Sequence, residues 1–207
     1  MKKYVKVMMI AGAVLAVCTP QFLSALKFKN PSDAPRENPS VLAQSPGAPD
    51  SGDLVVVSFT YTPQKGFASN QFAVWIEDMR GRHVRTLFAT RFTAAGGWQR
   101  RELSLAQWVK QSNLKDMNRQ QVDAISGPTP RGGALRYTWN GLDTSGAAAP
   151  AGEYRVFVEA TLRNENQALY SAVIRLGQRG QTVTAQVKYA GTSAAERGMI
   201  GPVTVSY

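Results

Sequence analysis

Cysteine and histidine are almost absent from this sequence: Cys18 and His83 are the only ones in 207 residues. A chain cut after Ala25 would carry no thiol. That excludes a disulfide framework, an iron–sulfur cluster and a c-type haem site. A single histidine excludes multi-histidine zinc or copper centres, so no metal site is expected. It also leaves any Ser-His-Asp triad dependent on one residue within a basic stretch. Acidic residues are few, 14 Asp plus Glu against 24 Lys plus Arg, and residues 1–25 hold none. No apolar run is long enough to read as a confident membrane span.

The first segment has its own logic. Lys2, Lys3 and Lys6 form a positive start, and Val7 to Val17 an uncharged apolar stretch. Leu23-Ser24-Ala25 then offers a small residue for signal-peptidase cleavage. The reading is export to the periplasm, with 1–25 as a signal peptide or N-terminal anchor. Leu15-Ala16-Val17-Cys18 resembles a lipoprotein cleavage box, with Val17 where a smaller residue is usual. Cleavage, retention and lipidation therefore stand as alternatives. Export argues against nucleic acid as the partner of a basic chain. It leaves anionic lipid head groups, acidic glycans, acidic proteins, or simply a solvated basic surface.

Residues 26–52 carry Pro31, Pro35, Pro39, Pro46 and Pro49 among small polar residues, the composition of a flexible tether. From 53 to 207 the apolar pattern has period two. Val55, Val57, Phe59 and Tyr61 share a strand face, as do Phe72, Val74 and Ile76. A third strand takes Val84, Thr86, Phe88 and Phe92 after a turn at Arg80-Gly81. Leu135, Tyr137 and Trp139, then Tyr154, Val156 and Val158, supply two more. Segments 168–176, 182–189 and 202–207 complete the set. One helix is expected over about 104–112, with Ser104 and Gln107 at capping-box spacing and Trp108 packed in the core. The fold class is all-β, an antiparallel sandwich with one short helix.

Residues 138–160 carry a denser signal. Trp139, Asn140, Gly141, Asp143 and Gly146, followed by Pro150, Gly152 and Tyr154, resemble the immunoglobulin-like module of flagellar hook-capping proteins. The physics of this hairpin is structural. Trp139 fills the core, Asp143 bonds turn backbone and Gly146 permits a positive φ. The resemblance implies an immunoglobulin-like sandwich and is nearly silent on function.

Read together, Val74-Trp75-Ile76-Glu77-Asp78, Gly81, Val84-Arg85-Thr86-Leu87, Trp98, Trp108, the 122–133 segment and the Trp139 to Glu159 hairpin resemble a family of predicted periplasmic proteins, domain of unknown function 2271. That resemblance implies a periplasmic protein often found with PepSY-type membrane proteins in flavin-linked envelope redox systems. It implies a membrane-associated envelope protein as partner, and activity only by association.

Within the 122–133 segment, Asp123, Ser126, Gly127 and Thr129 resemble the flavinylation motif of periplasmic FMN-binding domains, whose final threonine carries FMN through a phosphoester. Pro128 replaces the usual alanine. The resemblance implies Thr129 as an attachment site, Arg131 as a phosphate neighbour, and Gly132 and Gly133 as space for it. Ordinary turn chemistry accounts for the same residues, with Asp123 and Ser126 bonding a loop that leads into the next strand.

Other groups carry weaker signals. Glu77 and Asp78 are adjacent on a strand and point to opposite faces, a poor geometry for a carboxylate pair. Glu159 is expected to face solvent or pair with an arginine. Arg80, Arg82, His83 and Arg85 crowd one hairpin as an anion patch or a solvated turn, and Arg100 and Arg101 raise the same question. The sequence thus points away from an enzyme and towards an exported accessory or binding protein without a cofactor. A covalent FMN carrier and a structural or adhesive module are the alternatives. The oligomeric state is left open.

Overall fold

Apolar alternation over Val55, Val57, Phe59 and Tyr61 makes strand β1 (Val55–Tyr61), whose inward residues are all buried. The computed structural model describes residues 54–65, 70–163, 166–191 and 198–207, all within the unit Ser45–Tyr207. The expected signal segment 1–25, with Cys18, and the tether 26–52 lie outside the described residues. The further strands are β2 (Gln71–Asp78), β3 (His83–Thr90), β4 (Ser126–Gly127), β5 (Gly133–Trp139), β6 (Gly152–Arg163), β7 (Asn166–Leu176), β8 (Thr182–Thr184), β9 (Gln186–Ala190) and β10 (Thr204–Ser206).

They form two sheets. One has the order β5-β1-β10-β8 and is antiparallel, with Val57 opposite both Tyr137 and Val205. The other has the order β4-β3-β2-β6-β7-β9 and is antiparallel except at β3 and β4, where Ala89 pairs with Ser126 in parallel. The inner faces meet in one core. Val55, Val57, Phe59 and Tyr61 pack with Phe72, Val74, Ile76, Val156, Val158 and Ile174. Burying each such side chain contributes about 1.5–3 kcal/mol. The expected all-β sandwich is therefore present.

The larger sheet is also covered on its outer face, between its β3 and β6 strands. Residues 91–125 run across it as helices α1 (Arg91–Ala94), α2 (Ala106–Gln111) and α3 (Arg119–Ile125), with single 3-10 turns at 97–99 and 114–116. Leu105, Trp108, Val109 and Leu114 pack there on Ala73, Trp75, Ala89 and Phe157. Both faces of β2 are therefore buried, and only its last residue is partly exposed.

Several boundaries differ from expectation for identifiable reasons. The helical insertion holds three short helices rather than one. Helix α2 spans 106–111, and Leu105 enters it at φ 51 with no side-chain cap. The Ser104 capping box does not form, because the Ser104 hydroxyl bonds Thr93 at 2.7 Å instead. Phe92 lies in α1, not in the third strand. The 182–189 segment splits at Ala185 into β8 of one sheet and β9 of the other. Residues 122–125 are helix and 126–127 strand, so only 128–132 of the expected loop has no regular structure.

Candidate functional sites

The Trp139 hairpin is built as the sequence indicates. The Trp139 ring is fully buried, meets Tyr154 edge-on at 5.0 Å, and donates from Nε1 to the Leu142 carbonyl at 2.8 Å. Asp143 Oδ1 accepts from the Ser145 hydroxyl and from the Ser145 and Ala147 backbone N–H groups. These bonds, led by the Ser145 hydroxyl, hold its carboxyl below the usual carboxylate range. Gly146 has φ 85, a conformation that penalises other residues. Gly141 accepts from Ala149 N–H through its carbonyl, and Tyr154 Oη donates to the Pro150 carbonyl at 2.6 Å, closing the loop just before Gly152 begins β6. Every group here serves the turn.

The segment with Asp123, Ser126, Gly127 and Thr129 is spread over three elements. Asp123 lies on α3, where its carboxylate meets Arg91 Nη2 at 2.8 Å and Arg119 Nε at 3.7 Å. Asn118 and Gln121 form a reciprocal capping box at the start of that helix. Ser126 and Gly127 make β4. The Ser126 hydroxyl is buried without a hydrogen-bond partner. A Cβ on Gly127 would lie 2.9 Å from the Phe88 ring, and one on Gly132 2.9 Å from Pro63. These two glycines are therefore small because they pack against neighbours. Gly133 has open space around its Cα. Thr129 and Arg131 are exposed beyond β4. Beneath this loop, Phe88 stacks on Tyr137 at 5.1 Å, and Phe72 touches Phe88 and Tyr61 at 5.2 Å each. Burial pushes the Tyr61 hydroxyl up to about 12.

The basic hairpin is largely tied down. Asp78 Oδ1 accepts the Arg80 and Arg82 backbone N–H groups, and Asp78 Oδ2 accepts Arg82 Nε at 2.7 Å. Arg85 Nη1 donates to the Asp143 carbonyl. His83 turns towards Thr86, with Nε2 2.9 Å from its hydroxyl, and burial lowers its pKa to about 4. It is neutral at physiological pH.

The two internal carboxylates overturn one expectation. Glu159 is 2% exposed and does not face solvent. Its oxygens accept the backbone N–H groups of Gln107 and Trp108, at 3.2 and 2.8 Å, from 52 and 51 residues away in the chain. Glu159 is thus the cap of α2 that the sequence assigned to Ser104. Desolvation raises its pKa to about 7 against these two bonds. Glu77 is also buried. It accepts from Trp75 Nε1 at 2.7 Å, and burial raises its pKa while Arg155 lowers it. Nearby, Thr90, Thr93 and Ser104 hydroxyls share a buried network centred on Gln71 Oε1.

Beside α2 the outer face of the larger sheet stays open. A groove of about 740 Å³ runs over β6, β7 and β9, with Phe157, Leu169, Ser171 and Val173 on its floor, Arg155 and Lys188 across it, and Gln107 and Gln111 on the α2 side. Glu77 is its single carboxylate. Val173 is 39% exposed. Sequence reasoning missed this site because its residues are scattered over several strands and α2, and its floor and cations are brought together only by the sheet register: Leu169 opposite Lys188, and Arg155 opposite Val173. Among the described residues no cluster of metal-ligating side chains occurs.

No curated protein and no solved structure matches the chain. A family model described as "predicted periplasmic protein" matches residues 55–193, from β1 through β9 with the helical layer. It agrees with the export signal in placing the protein in the periplasm. On that match, over more than half its length, the chain belongs to the family of predicted periplasmic proteins of domain of unknown function 2271 (DUF2271).

Proposed function

We propose that this periplasmic protein is a non-enzymatic binding module serving a membrane-associated envelope protein, with the groove over β6, β7 and β9 as its working surface. The observation that supports this is the groove's composition. Two cations, Arg155 and Lys188, flank an apolar floor, and its one carboxylate, Glu77, is buried and bonded to Trp75. Such a surface suits an acidic segment with apolar side chains. The family resemblance implies association with flavin-linked envelope redox systems, so a redox membrane protein is the partner proposed. A photo-crosslinking amino acid at position 173, expressed in the native host, tests this. The expected adduct is a membrane protein, lost in the Arg155→Glu/Lys188→Glu double variant. An adduct that survives the double variant, or none at all, contradicts the reading.

A second reading is covalent FMN on Thr129. It is favoured by one observation, the exposure of Thr129 on the loop after β4, where a modifying enzyme can reach a hydroxyl. Coexpression with a flavin transferase should then give flavin absorbance that survives denaturation and disappears in Thr129→Val. Absence of covalent flavin under those conditions leaves the loop as structure alone.

A further inference from the structure

We propose that the outward surface of the helical layer docks on an anionic phospholipid bilayer. This surface shares no lining residue with the β6–β7–β9 groove. It consists of two adjoining hollows on either side of the 97–104 segment, of about 380 and 600 Å³, which have Gln99 and Glu102 in common. Arg100, Arg101, Lys110 and Lys115 line them and are exposed, with Glu102 the only carboxylate. Among the described residues none of these four cations is in an ion pair. Asp116, next to Lys115 in the chain, accepts from Asn113 and lines a different hollow together with His83.

Apolar side chains stand among the cations. Leu103 is 45% and Phe92 39% exposed, whereas most large apolar groups among the described residues are buried. The Arg101 guanidinium lies 5.0 Å from the Phe92 ring centre, and the Lys115 ammonium 5.6 Å from that of Trp98. Aromatic rings with a basic rim place apolar surface at the acyl boundary and cations among the head groups. The backbone that carries Phe92 and Leu103 is held in place. Their neighbours Thr93 and Ser104 are locked together at 2.7 Å, and the Leu103 carbonyl accepts from Gln167. The patch is therefore a fixed surface. A bilayer is its natural occupant, since each basic residue near an anionic membrane adds about a fivefold gain in partitioning.

The test uses the exported protein isolated from the envelope and vesicles of phosphatidylglycerol with phosphatidylcholine, against phosphatidylcholine alone. A retained N-terminal anchor would bind both alike, so the readout is the ratio between them. Trp75, Trp108 and Trp139 are fully buried, so an emission shift, or quenching by bromine-labelled lipid, reports Trp98. The expected result is preferential binding to phosphatidylglycerol with Trp98 quenched. Arg100→Glu/Arg101→Glu should lower it by at least about twentyfold, and Leu103→Ser should lower it further. The Arg155→Glu/Lys188→Glu variant should bind like the parent. Circular dichroism confirms that each variant is folded. Equal binding to both compositions, undiminished binding of the Arg100→Glu/Arg101→Glu protein, or binding to an envelope protein but not to vesicles overturns the proposal.

Discussion

Glu159 joins the sheet to the helical layer, and its titration has a defined consequence for stability. Its carboxyl is raised from an ordinary 4.5 to about 7 by burial. Below pH 4.5 the group is protonated in both folded and unfolded chains and stability is at its full value. Between pH 4.5 and about 7 the unfolded chain ionises and the folded chain does not, so stability falls as pH rises. Above about 7 the loss is complete, and amounts to about 3 kcal/mol at about 1.4 kcal/mol per unit. Glu159→Gln removes this titration, at the cost of one mismatched N–H at the α2 terminus, about 1–3 kcal/mol independent of pH. Glu77 shifts in the same direction, whereas His83, lowered to about 4, loses stability as pH falls below its ordinary 6.5. Both groups remain in the variant, so the comparison cancels them. The assay is urea denaturation of parent and variant from pH 4.5 to 8. The stability difference between them should narrow or reverse by about 3 kcal/mol across that range. A difference constant with pH would refute the buried, neutralised carboxylate.

Further predictions concern the sandwich and the loop. Trp139→Ala should cost about 3–5 kcal/mol by thermal or urea unfolding, since it empties a fully buried site and removes the Tyr154 contact. A variant that melts like the parent would remove Trp139 from the core. Asp143→Ala frees the turn N–H groups of Ser145 and Ala147 to solvent. It should speed amide hydrogen exchange at 144–147 while leaving the β6–β7 ladder protected. Gly127→Val should lower stability by about 1–3 kcal/mol, because its Cβ meets the Phe88 ring. Thr129→Val, at an exposed position, should leave stability within about 0.5 kcal/mol.

The sandwich was legible because most strands bury one face, and alternation records that directly. In β2 the alternation is masked: Ala73, Trp75 and Glu77 are as buried as Phe72, Val74 and Ile76. The apolar Trp75 between Val74 and Ile76 signals a second covering layer. That layer was read only in part, because its determinants are non-local. The Ser104-Gln107 spacing is a genuine local signal, overridden by Thr93 and by Glu159. The Asn118-Gln121 spacing is an equally genuine signal, and it does cap a helix. Two-residue β4 forms by parallel pairing with β3, for which no periodicity exists. The turn residues from Trp139 to Tyr154 were legible because most of their bonds close within eight residues, although Arg85 and Val84 also reach the turn from β3. The groove was not, since Arg155 and Lys188 meet only through β7.

The central claim is that this is a periplasmic binding module with no covalent cofactor. It is tested most directly by the intact mass of the protein isolated from the envelope of its native host. The account predicts the mass of residues 26–207 with nothing added. A mass larger by one esterified FMN, located by fragmentation to the peptide holding Thr129, would contradict it and make the protein an electron carrier.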